Sequence, residues 1–162
     1  MVVSVERIRV WQSILTWSVH CLGSLRMERR MQSTEPNLLI ADDDRDFRES
    51  LSEVFTRRGY TTRLAADGFE AVEIVQSTSV LHLVLLDVHM PRLSGIEALE
   101  QIRQEAEVSL PCILMSAKFD ERIVQQAELL DTASMLSKPF TLRDLTGTVE
   151  KILQSAYGWK LS

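Results

Sequence analysis

Cysteine is nearly absent from this chain of 162 residues: Cys21 and Cys112 stand far apart and form no Cys-x-x-Cys pattern. A catalytic or metal-binding thiol is therefore not expected. Cys112, inside the apolar run 112–115, reads as a reduced core residue of a cytoplasmic protein. Long apolar runs are missing as well. The stretch from Val10 to Leu25 is broken by Gln12, Ser13, Thr16, Ser18 and His20, which leaves it too short and too polar for a membrane span. Arg7 and Arg9 precede it as in a secretory leader, but no small-residue cleavage site follows. His20, His82 and His89 have no partners at metal-ligand spacing, so a zinc site is not expected. Excess positive charge is also lacking, the formal net charge being −5. Residues 1–36 carry five arginines against three glutamates, whereas residues 37–154 carry twelve basic against twenty acidic side chains. An acidic folded part argues against direct nucleic-acid binding, and no membrane insertion is expected.

What is present fits one globular domain: 45% apolar and 25% charged residues, with no repeats or low-complexity tracts. The charge step divides the chain into an N-terminal extension (1–36), a folded unit (37–154) and a short tail (155–162) with no output domain. The extension reads as disordered, or as preceding a true start at Met27 or Met31. An amphipathic surface helix is the alternative for it.

From Pro36 the pattern alternates strand and helix. Runs at 38–41, 83–86 and 112–115 are short and wholly apolar, as strands buried on both faces require. Residues 60–65 and 134–137 are weaker strands. Phe47, Leu51, Val54 and Phe55 recur at helical spacing, and the helix they mark ends near Gly59. Val72 and Val75 mark a second helix, capped by Asp67 with Glu70 as its capping-box partner. Ile96, Leu99 and Ile102 mark a third, and Asp120 caps a fourth. Thr141 and Asp144 open a fifth. Asp44 and Asp46 read as solvated caps of the first helix, and His82 as a strand-edge residue. Five strands alternating with five helices predict an α/β fold: a flavodoxin-like, doubly wound parallel sheet in the order 2-1-3-4-5.

In that topology strands one, three, four and five are neighbours, and ligands bind beyond their carboxyl ends. There stand Asp42-Asp43-Asp44, Asp87, Ser116 and Lys138-Pro139. Asp87 alone reads equally well as a turn cap. Together these groups form a pocket of carboxylates, which repel one another unless a cation is present. Oxygen donors with room for water suit Mg²⁺. One hydroxyl and one ammonium remain to neutralise phosphoryl oxygens on Asp87.

With these residues in order, 37–154 resembles the receiver domain of two-component response regulators. The match comprises the acidic pair Asp42–Asp43, the D-x-x-M-P-x-x-x-G pattern of Asp87, Met90, Pro91 and Gly95, the hydroxyl Ser116 followed by Ala117, and Lys138-Pro139-Phe140. The resemblance implies a stand-alone phosphoprotein in which Asp87 takes a phosphoryl group from a sensor histidine kinase or a histidine phosphotransfer protein. It implies Mg²⁺ held by Asp43, Asp87 and the backbone carbonyl of His89, with Asp42 acting through water. Lys138 would pair with Asp87 and then with the phosphate, and Ser116 would move to the phosphate and report it. The Lys138–Pro139 bond would be cis. Such a domain is a signalling module that catalyses its own phosphorylation and hydrolysis rather than an enzyme acting on other substrates. Its downstream partner is not readable.

Two positions depart from the pattern. Asp131-Thr132 stand where receivers carry Gly-Ala, and Met135 replaces the aromatic three residues before the lysine. The coupling of Ser116 to a rotating aromatic is thus in question, while the phosphate site is untouched. From a different class, a Mg²⁺-dependent phosphohydrolase of the haloacid dehalogenase type would use the Asp-x-Asp of Asp42 and Asp44. It leaves Asp87 and Lys138-Pro139 unexplained. An inert receiver-like interaction module is the third reading, and the full set of site residues argues against it.

Overall fold

A computed structural model describes residues 35–78, 80–105 and 110–159. The expectations for residues 1–34 and for the end of the tail lie outside the described residues. In chain order the elements are β1 (Asn37–Ala41), α1 (Arg45–Arg57), β2 (Thr61–Ala65), α2 (Gly68–Ser77), β3 (Leu83–Asp87), α3 (Gly95–Glu105), β4 (Cys112–Ser116), α4 (Glu121–Leu129), β5 (Ser134–Ser137) and α5 (Leu142–Tyr157). All pairings are parallel, in the order β2-β1-β3-β4-β5. This is the flavodoxin-like arrangement expected from the alternation of strand and helix.

The sheet carries a core on each face, and period-two alternation assigns residues to them. Leu39, Ala41, Val84, Leu86, Cys112 and Leu114 face one way and pack with side chains of α2 and α3. Leu38, Ile40, Leu83, Leu85, Ile113 and Met115 face the other way, with Leu51 and Phe55 of α1 and Leu145, Val149 and Leu153 of α5. Burial on both sides is why the central strands hold unbroken apolar runs at 38–41, 83–86 and 112–115. Edge strand β5 alternates instead: Ser134 and Leu136 are half-buried, Met135 and Ser137 exposed.

Local signals start the helices. Asp44, Asp67 and Asp120 accept the backbone N–H of the third residue beyond them, and Thr141 with Asp144 forms a reciprocal capping box. Asp46 sits in the first turn of α1. The expected box at Asp67 is displaced by one residue, because the Glu70 carboxylate reaches the N–H of Ala66.

Two expectations fail at the opposite end of the sheet. His82 is fully buried rather than a strand-edge residue. Its Nδ1 accepts the Asn37 N–H at 2.8 Å, and its carbonyl accepts the Tyr157 hydroxyl at 3.0 Å. The packed unit also continues past 154. α5 runs to Tyr157, whose ring meets His82 edge-on, and the Trp159 ring lies tilted against the same imidazole at 4.6 Å.

Candidate functional site

The carboxyl ends of β1, β3, β4 and β5 bring Asp42, Asp87, Ser116 and Lys138 together. Register sets this: Asp87 pairs with Met115 and Ser116 with Ser137, so these residues lie at the same end of neighbouring strands. Asp42 and Asp87 are buried, and Lys138 donates to both, at 2.7 Å to Asp42 Oδ2 and 2.7 Å to Asp87 Oδ1. The remaining carboxylate oxygens are held by backbone. Asp42 Oδ1 accepts the Asp44 N–H at 3.0 Å and Asp87 Oδ2 the His89 N–H at 2.9 Å. Asp43, next to this pair, is exposed.

One ammonium shared by two carboxylates leaves the site negative. Asp87 is accordingly held above its ordinary value of 3.8, first by burial and then by the charge of Asp42, against the pull of Lys138 and the His89 N–H. Lys138 is also held above its ordinary value. Burial opposes its charge most strongly, but the bonds and charges of Asp42 and Asp87 together outweigh it. Burial and the neighbouring Asp42 thus disfavour the charged form of Asp87, while the two carboxylates favour the charged form of Lys138, and negative charge is left in excess. That condition suits a bound cation, and the donors on offer, carboxylates and a backbone carbonyl, are the oxygen ligands Mg²⁺ prefers. Among the described residues no three His, Cys, Asp or Glu side chains form a closed cage, so such an ion would keep part of its water.

The acceptor loop is shaped by close approach. A Cβ at Gly95 would lie 2.2 Å from the Asp87 carbonyl, and one at Gly68 would lie 2.3 Å from the Leu93 carbonyl. The glycine of the D-x-x-M-P-x-x-x-G pattern is therefore a steric requirement of the backbone that carries Asp87. The loop is clamped to α2 by the ion pair of Arg92 with buried Asp67, and Arg92 adopts a left-handed φ of 66°. The Lys138–Pro139 bond is cis.

Three contributors were not foreseen. The Arg48 guanidinium donates to the Asp42 carbonyl. The Phe47 ring lies 4.6 Å from Lys138 Nζ and meets Phe140 edge-on at 6.0 Å. Phe47 belonged to the apolar stripe of its helix, which hides a second duty. Arg92 gave no local signal, since its pairing with Asp67 spans 25 positions.

Ser116 is buried, and its hydroxyl bonds to Lys118 and His89 rather than to Asp87. Asp44 is spent on capping α1, which removes it from the Asp-x-Asp role that the dehalogenase-type reading needs. Met135, 36% exposed, lies on the sheet face of its register partner Leu114; Leu129 of α4 and Leu142 of α5 are exposed as well.

Comparison with known proteins follows the same outline. The family model described as the response regulator receiver domain matches residues 38–150. A response regulator, RR06, of Streptococcus pneumoniae is 36% identical over 121 residues, covering 75% of this chain and 54% of its own length. The response regulator MprA of Mycobacterium ulcerans is 38% identical over 119 residues, covering 72% and 50%. The chain thus spans about half the length of these relatives. Among solved structures, the receiver domain of a Francisella response regulator superposes with a TM-score of 0.68 at 26% identity, covering 75% of this chain and 98% of that one. A receiver domain protein from Methanospirillum hungatei gives a TM-score of 0.71 at 20% identity, over 76% and 97%, and supports the fold alone.

Proposed function

This chain belongs to the response regulator receiver domain family, and on that premise we propose that Asp87 is its phosphoacceptor. A carboxylate oxygen of Asp87 attacks the phosphorus of a phosphohistidine on a histidine kinase or histidine phosphotransfer protein. The phosphorus–nitrogen bond breaks with its electron pair leaving on the imidazole, and an aspartyl phosphate results. The observation that carries this reading is Lys138, bonded at 2.7 Å to both Asp42 and Asp87. It holds the nucleophile in place and puts positive charge where phosphoryl oxygens would arrive.

Asp43, Asp87 and the backbone carbonyl of His89 would hold Mg²⁺, with Asp42 acting through water. The ion would supply the charge neutralisation that lets an anionic carboxylate meet an anionic phosphoryl group. Ser116 would leave its present partners to donate to the phosphate and so report it. Intact-mass spectrometry with a small-molecule phosphodonor tests the assignment: one phosphoryl group on the wild type with Mg²⁺, and none on Asp87→Asn. Equal uptake by the mutant overturns it.

The output follows from Met135. A flexible, unbranched side chain fills an irregular gap in several rotamers, so it discriminates two positions of Ser116 less than a rigid ring would. A small free-energy difference gives a small population shift. Phosphorylation is therefore expected to change the face bearing Leu129, Met135 and Leu142 only partly, which suits passing the phosphoryl group on or weak partner binding. NMR with beryllofluoride and Mg²⁺ checks this. Shift changes over residues 120–150 as large as those around Asp87 would refute it.

A further inference from the structure

We infer that His89 is a latch on Ser116: its ring Nδ1–H holds the Ser116 hydroxyl away from Asp87, and that bond must open before Ser116 reports a phosphate. The second half rests on the functional reading above; the first rests on donor counting alone. A hydroxyl has one proton to give and two lone pairs to fill. The Ser116 proton goes to the Lys118 carbonyl at 2.7 Å, since a carbonyl only accepts. One lone pair takes the Lys118 N–H at 3.1 Å. His89 Nδ1, at 3.2 Å, must then be a donor into the second. Ser116 is saturated where it stands.

The buried histidine makes the assignment specific. His82 Nδ1 accepts a backbone N–H, so the proton of its neutral ring sits on Nε2. The two imidazoles carry their protons on opposite nitrogens, each fixed by its own neighbour.

The backbone explains why His89 can serve both strands. Its N–H donates to Asp87 Oδ2 at 2.9 Å, and the Gly95 N–H closes the loop onto the Val88 carbonyl at 3.0 Å. With the main chain pinned to Asp87, the ring reaches across to Ser116 at the end of β4. Of the three Ser116 bonds, two stay within its own loop. Among the described bonds of its hydroxyl, that with His89 is the one that ties the Ser116 side chain to the loop after β3, which follows the acceptor. His89 is thus a positioning residue, acting on the acceptor site through Ser116.

Two measurements on the full chain test this. Long-range proton–nitrogen spectra at about pH 8, above the ordinary range of imidazole titration, read which ring nitrogen bears the proton. The expected result is Nδ1–H for His89 and Nε2–H for His82, with His89 losing its preference in Ser116→Ala while His82 is unchanged. A bare Nδ1 on His89 in the wild type overturns the latch. The second is beryllofluoride affinity with Mg²⁺. His89→Ala should bind about three- to tenfold more tightly, the value of one released hydrogen bond. His89→Asn, which keeps an N–H donor near the same place, should return towards the wild type. Weaker binding by His89→Ala would mean that the ring assists the phosphate and would overturn the proposal. If the wild type does not bind beryllofluoride, or Asp87→Asn binds it equally, the functional reading falls and the release half falls with it. The ring spectra then decide the resting contact by themselves.

Discussion

The two ends of this sheet are built from similar side chains to opposite effect. At the carboxyl end, two buried carboxylates share one ammonium, and Asp43 and His89 stand open to solvent. At the amino end, His82 is fully buried, bonded to the backbone of Asn37 and capped by Tyr157 and Trp159. One end sets two carboxylates against one ammonium and is left with negative charge in excess. The other is closed by its own backbone. A polar residue in the interior thus says little by itself; the balance of donors, acceptors and charge around it decides between site and scaffold.

The contrast is broken most completely by Asp87→Asn. Phosphoryl uptake should vanish, along with any thermal stabilisation of the wild type by Mg²⁺. Without Mg²⁺ the same variant should melt higher at neutral pH. The carboxyl of Asp87 is raised in the fold, so its ionisation costs stability. That cost is complete above the raised native value and disappears as pH falls through it to the ordinary value of 3.8. Melts of both proteins across this range should therefore converge in acid and separate towards neutrality. A lower melting temperature for Asp87→Asn at pH 7 would show that the excess negative charge has been misjudged.

The histidines give the next largest effect. His82→Ala should cost about 2–4 kcal/mol, from an internal cavity and an orphaned Asn37 N–H. His89→Ala should cost only about 1 kcal/mol, the worth of its one bond to Ser116. Urea denaturation measures both, and equal losses would erase the distinction between the two ends. Tyr157→Phe removes the bond to the His82 carbonyl and should cost about 1 kcal/mol. A loss near zero would leave the closure of that end to ring packing alone.

The smallest effect lies just before β5, in the turn that enters it from α4. Asp131 holds a left-handed φ of 51°, stapled by Arg103, whose guanidinium donates to the carbonyls of Leu130, Leu110 and Asp131. Asp131→Gly should raise stability by about 0.5 kcal/mol by relieving that conformation. Phosphoryl uptake should be unaltered, and a loss of stability would place the aspartate side chain in an unrecognised contact.

Much of this was legible because it is local or follows from topology. The short apolar runs 83–86 and 112–115 read as strands buried on both faces, and Asp44, Asp67, Asp120 and Thr141 announce the helices they cap. Once the strand order was inferred, the meeting of Asp42, Asp87, Ser116 and Lys138 followed from the carboxyl ends of parallel neighbours. What escaped was set by distant partners. His82 reads as polar until Asn37 and Tyr157, 45 and 75 positions away, are seen beside it. The end of α5 was placed short because Tyr157 and Trp159 find their contacts across the sheet. Asp131 looked like a departure from Gly-Ala, yet the backbone there keeps the left-handed turn with Arg103 holding it.

The bonds of Lys138 to Asp87 and Asp42 close loops of 51 and 96 positions. Contacts of such span form late, after most of the chain's entropy has been surrendered. A partly folded chain, or one with β5 detached, has no ammonium beside its carboxylates and cannot hold a phosphoryl group there. Competence to be labelled is in this sense a certificate of complete folding. A kinase that phosphorylates only the assembled pocket would pass over unfinished copies, so misfolded protein would stay silent in the pathway rather than signal falsely.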